Sequence, residues 1–155
     1  MRSRSMFLMG LSGAVLLLAG CSLGPVMIAE HESPYDFDKT LTLVQENAKE
    51  TGWTIPKVHD FQKSLVKHGQ PDPGKLVVVK LCNPEIATRM FGSDERKYVS
   101  VMAPCSISIY EKADGKTYVS AMRMGLMGKL MGGEIGKVMA DIEADDQRIL
   151  NFIEH

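Results

Sequence analysis

From residue 37 to 48, apolar residues recur at three- and four-residue steps: Phe37, Leu41, Val44 and Ala48. That spacing predicts an amphipathic helix, with Asp36 as its N-cap and Gly52 just past its end. Upstream, Gly24 and Pro25 break the chain, and the short apolar piece Val26 to Ala29 predicts a first strand. Downstream, "WTIPKVHDF" alternates like a strand, but Pro56 has no amide proton to give a ladder, so this strand belongs at a sheet edge or a bulge. Asp60 to His68, closed by Gly69, predicts a short helix with Phe61 and Leu65 turned inward. "QPDPG" then interrupts the chain.

The run "KLVVVKL" is apolar at successive positions and β-branched, which predicts a central strand covered on both faces or nearly so. "CNPEIATRMF" turns it into a helix: Asn83 is a favoured N-cap, and Pro84 suits the first helical position, where its missing donor is not needed. Gly92 ends that helix, and "SDERKYVSVMAP" fits neither period. "CSISIYEK" alternates strictly, with Cys105, Ile107, Ile109 and Glu111 on one side and Ser106, Ser108, Tyr110 and Lys112 on the other. Asp114-Gly115 predicts a type I′ hairpin turn into "KTYVSAMR". From Gly125 to Ile153 the residues Leu126, Leu130, Ile135, Val138, Met139 and Ile142 predict one long closing helix, glycine-rich in its first part, where the first turn could instead be a loop. Strands and helices in this order describe an α+β domain, one antiparallel sheet backed by helices.

The 155 residues carry a net charge of −1, so no basic footprint for nucleic acid is present. The N-terminus changes the picture further. Arg2 and Arg4 precede the uncharged run "MFLMGLSGAVLLLA", which has the length of a secretory leader and is short for a membrane span. It ends in "LAGC", which resembles the bacterial lipobox, where the cysteine is acylated and becomes the first residue. Residues 1–20 are therefore expected to be removed, Cys21 to carry the lipid, and residues 21–25 to form a short tether to a domain over 26–155. Ser22 follows Cys21 in place of aspartate, which resembles the signal for the outer membrane, on its periplasmic side, or for the cell membrane where there is only one. The mature chain would carry 16 basic and 19 acidic residues, a net −3. Buried acyl methylenes, each worth about 0.8 kcal/mol, would hold it to the bilayer.

"LCNPEIA", then "APCSISIYE" with Pro104 ahead of Cys105, then "DGKTYVS", together with the helix "FDKTLTLVQENAKETGW", resemble family 302 of the bacterial and archaeal domains of unknown function. The resemblance spans roughly residues 26 to 142. It implies a β-α-β4-α fold, often dimeric, and no settled activity.

Candidate chemistry centres on sulfur. Cys82 ends the apolar strand immediately before a helix N-cap, where unpaired amides favour a thiolate, while Glu85 in the first turn opposes it. Cys105 opens the next long strand, so antiparallel pairing would make the two thiols neighbours. In an oxidising compartment they could form a structural disulfide, closing a loop worth about 3 kcal/mol. Behind that first choice come two small buried apolar residues, and last a redox or soft-metal site, since their spacing is far from Cys-x-x-Cys. Met122, Met124, Met127 and Met131 add thioethers that suit copper(I), Met127 and Met131 lying on one helix face, where methionine also serves as core filler. His59 abuts Asp60, while His31, His68 and His155 lack metal-like spacing. No Gly-x-Ser-x-Gly or phosphate-binding glycine loop appears, and no cofactor motif. Gly128, Gly132 and Gly136, four residues apart, suit close backbone approach of two helices, within the chain or across a homodimer.

The expectation is a non-enzymatic envelope lipoprotein, a binding or interaction module for an unidentified ligand, held to the membrane by its lipid. The alternative is a redox or copper-handling protein built on Cys82 and Cys105.

Overall fold

The computed structural model describes residues 24–153. The leader, Cys21 and His155 lie outside them. A single helical turn α1 (Gly24–Met27) leads into strand β1 (Ile28–Glu32), later than the strand expected from Val26. Helix α2 (Phe37–Glu50) follows, then β2 (Thr54–Asp60), α3 (Phe61–Lys67), β3 (Leu76–Cys82) and α4 (Pro84–Phe91). The ambiguous stretch is a 3₁₀ helix, Asp94–Met102, followed by β4 (Cys105–Glu111) and β5 (Thr117–Met122). Helices α5 (Met124–Met131) and α6 (Gly133–Ile149) close the chain.

The five strands form one antiparallel sheet in the order β1-β5-β4-β3-β2. This is the α+β architecture the pattern implied. As Pro56 requires, β2 is an edge, and its register slips between Thr54 and Lys57.

Burial on β3 corrects one expectation. Val77, Val79 and Leu81 are buried, but Leu76, Val78, Lys80 and Cys82 between them are only half-buried. The core formed with α2 and α6 lies on the face of Val77, Val79 and Leu81, and the β-branched Val78 on the other face read as though it were buried too. Ile107, Ile109 and Val119 continue the buried face, and Phe37, Val44 and Ala48 from α2 meet it together with Val138, Met139, Ile142 and Ile149 from α6. The opposite face is polar and tied by pairs: Tyr110 donates to Glu30, the Lys112 ammonium lies 2.7 Å from Glu30 and 3.8 Å above the Tyr118 ring, and Lys116 pairs with Glu32 at 2.9 Å.

Helix ends follow the expected chemistry. Asp36 accepts the Lys39 amide at 2.8 Å, and Asp60 caps α3 through the Lys63 amide at 2.8 Å. Phe61, expected inside, is exposed and packs edge-on against His59 with centroids 4.3 Å apart. Asp60 therefore serves α3 and Lys63 rather than orienting His59. The β4–β5 hairpin also departs from expectation. Among the described residues none but glycine has positive φ, which excludes type I′; Gly115 (φ +77°) donates to Lys112 O at 2.9 Å and the Lys112 amide to Lys116 O at 3.1 Å. Residues 113–115 thus form a three-residue loop with glycine in the left-handed position.

The closing segment is two helices, not one. Gly132 and Gly133, at φ +66° and +57°, break it, and α5 folds back on α6. A Cβ on Gly128 would lie 2.8 Å from Gly136 O, and one on Gly136 would lie 2.6 Å from Gly128 O. The four-residue glycine spacing therefore serves a contact within the chain.

Candidate functional site at the sulfur-lined end of the sheet

β3 runs out at Cys82, and the chain turns sharply into α4. Asn83 Oδ1 accepts the amides of Glu85 (3.0 Å) and Ile86 (3.3 Å), with Pro84 at the first helical position. Thr54, opposite Cys82, donates its hydroxyl to Cys82 O at 2.7 Å and pins the strand end. On the other side of β3, Leu81 pairs with Cys105, so the two cysteines occupy adjoining positions of neighbouring strands.

That register brings the thiols to one corner without joining them. Both are free. Cys105 shares the helix-facing side with Leu81, whereas Cys82, one residue further along, has the opposite strand parity, so the two are not direct cross-strand partners and are not bonded. Burial, with Asp146 and Cys82 nearby, pushes the Cys105 thiol up to about 12. Cys105 is consequently a neutral thiol at physiological pH and a poor nucleophile.

Above these residues lies a cavity of about 50 Å³. Trp53, Leu81 and Cys105 contribute from the sheet side, Ile86, Ala87 and Met90 from α4, Met102 and Pro104 from the 3₁₀ segment and its exit, and Met124, Met139 and Ile142 from the closing helices. A second cavity of about 50 Å³ adjoins it, sharing Met102, Pro104, Cys105 and Met124 and adding Met122 and Asp146. Seven sulfur-bearing side chains line these two spaces: Cys82, Met90, Met102, Cys105, Met122, Met124 and Met139. Met127 and Met131 line neither and pack against the core. Among the described residues no group of three or more His, Cys, Asp or Glu is placed to hold a metal, so any metal here would depend on thioethers.

Beyond Asp146 the space opens into a cleft of about 170 Å³ between β1, β5 and α6, lined by His31, Arg123, Glu143, Asp146 and Gln147 among apolar residues. Burial first, then the charges of Glu143 and Asp145, raises Asp146 to about 7. Its neighbour Asp145 is buried and satisfied, accepting from Trp53 Nε1 at 3.0 Å and Arg148 at 2.5 Å. The Asp145–Asp146 pair and His31 went unread as site residues. The signal was present, because Asp145 continues the stripe of Val138 and Ile142 that puts α6 against the core, and a carboxylate on an apolar stripe needs a reason. The remaining histidines stay apart: His59 lies on β2 and His68 caps the end of α3.

An antiparallel five-stranded sheet backed by helices on one face, with a small apolar site at one end, defines the class. The chain belongs to the family described as "Domain of unknown function DUF302", whose model matches residues 29–153 and so takes in the last helix, beyond the stretch on which the sequence resemblance rested. The crystal structure of an uncharacterized conserved DUF302 protein from Bacillus stearothermophilus is similar, with a TM-score of 0.73 and 19% identity over 83% of this chain and 98% of that one. No curated protein matches.

Proposed function

We propose that this protein is an exported lipoprotein, anchored through Cys21 on the periplasmic side of the outer membrane, and that it works as a non-enzymatic binding module. The observation that supports binding over catalysis is the apolar, sulfur-lined cavity, in whose wall the Cys105 thiol is held neutral by burial. A space of about 50 Å³ is far below the roughly 300–1,000 Å³ of pockets that enclose a drug-sized ligand. It suits the apolar end of a ligand whose remainder stays outside. Octanoate is a suitable probe. With ¹³C-methyl methionine, titration should move the Met124 and Met139 methyl resonances saturably, and Ala87→Leu, which fills the cavity, should abolish the effect. Absence of any saturable shift in the unaltered protein would refute this reading.

A second reading is favoured by the convergence of seven sulfurs: a soft-metal site for copper(I), which thiolate and thioether ligands select. Anaerobic competition against a copper(I) chelator tests it. Combined Met102→Leu and Cys105→Ser substitution should abolish binding, and Met127→Leu with Met131→Leu should leave it unchanged; no competition by the unaltered protein would discard it.

A further inference from the structure

We propose that the end of the domain bearing Val26, Ile28 and Met122 seats directly on the lipid bilayer. The proposal rests on the reading of Cys21 as the lipidated residue. Two residues separate Cys21 from Gly24. Even fully extended, the chain then keeps the Gly24 Cα within about 11 Å of the acylated residue.

What lies at that point is apolar and exposed. Val26, Ile28 and Met122 are 48%, 47% and 42% exposed. Ile28 and Met122 are direct partners at the terminus of the β1–β5 pair, and the Arg123 amide donates to Met27 O at 2.9 Å, which fastens α1 beside them. Val101, 87% exposed, stands next to Met102, which lines a cavity with Met122. Scattered exposed apolar residues need no explanation, but a cluster at the point of attachment does.

The charges are arranged to match. Arg123 is exposed beside the patch and has no ion-pair partner among the described residues, leaving its guanidinium for a lipid phosphate. Glu30 and Glu32, whose charge a bilayer would repel, lie further up β1 and are neutralised by Lys112 and Lys116. Among the described residues no helix is long and apolar enough to cross a membrane, so the contact is with the surface.

The test uses the acylated protein in vesicles of phosphatidylethanolamine and phosphatidylglycerol, footprinted with hydroxyl radicals and read by mass spectrometry. Tyr35 and Phe61, exposed beyond the opposite ends of β1 and β2, serve as internal references. A second protein carries about twenty Gly/Ser residues between Leu23 and Gly24, a reach of about 25 Å, which frees the domain to leave the surface. A third adds Ile28→Asp and Arg123→Glu to the long tether. Ile28 and Met122 should be protected in the first, Met122 should remain protected in the second, and it should become several-fold more reactive in the third. Equal reactivity of Met122 in all three overturns the proposal, as does protection that vanishes on lengthening the tether alone. The same spectra report the mass of the N-terminal peptide. An acylated Cys21 with an unprotected Met122 defeats only the seating, whereas an unacylated terminus removes the anchor and the seating together.

Discussion

Gly128 and Gly136 face each other across the α5–α6 hairpin so closely that a methyl group on either would lie under 3 Å from the other's carbonyl oxygen. Backbone atoms cannot move aside as a flexible side chain can. Gly136→Ala is therefore expected to destabilise the domain by about 1–3 kcal/mol, measured by urea unfolding. Gly125→Ala, whose Cβ would meet the Glu143 Cγ at an ordinary 3.4 Å, should be tolerated.

Asp146 should give stability a pH dependence with a definite sign. Its folded value, about 7, lies above the ordinary carboxylate value, so the native state binds more protons between the two. Stability should fall as pH rises from about 4 to about 7, then level off. Asp146→Asn should flatten that decline and gain about 1–2 kcal/mol at pH 8, the full shift being trimmed because the group keeps some access to solvent. Thermal melts across pH 4 to 9 check this; parallel curves for the two proteins would count against it.

Thiol counting separates the cysteine arrangements. Both Cys82 and Cys105 are free, so in denaturant without reductant these two residues should titrate as two thiols, with Cys21 counted apart. In the folded protein Cys105 should stay inert at neutral pH and react only in strongly alkaline solution or on unfolding, since burial holds its proton. A single equivalent, or none, in denaturant would point to oxidation.

The corner between β3 and α4 depends on Asn83, whose side chain accepts two backbone amides. Asn83→Ala should cost about 1 kcal/mol in denaturant unfolding. Asn83→Asp, which keeps the acceptor and places a negative charge at the helix start, should recover most of it.

Much of this fold was legible because local signals and tertiary demands agree. Asp36, Asp60 and Asn83 cap the helices they precede, and Pro56 sits on an edge strand. Misreadings fall where a neighbour decides. Val78 is as β-branched as Val77 and Val79, yet only the presence of a helix layer on one side makes it half-buried and them buried. Gly132 breaks the closing helix because α5 must return along α6, a demand that apolar spacing does not carry. For the site, the two cysteines could be brought to one corner from sequence alone, since strand order fixes that. Their parity could not, because it depends on the register of Leu81 with Cys105. The sulfur lining came from Met90, Met102 and Met139 in three separate segments, which no linear spacing connects.

Pro56 and the slipped register beside it also govern how one copy of the chain meets another. The rim of the sheet formed by β2 offers an interrupted row of amides, so another molecule's strand finds no continuous template there. Neighbouring copies of the chain are thereby kept from zipping into fibrils along that rim.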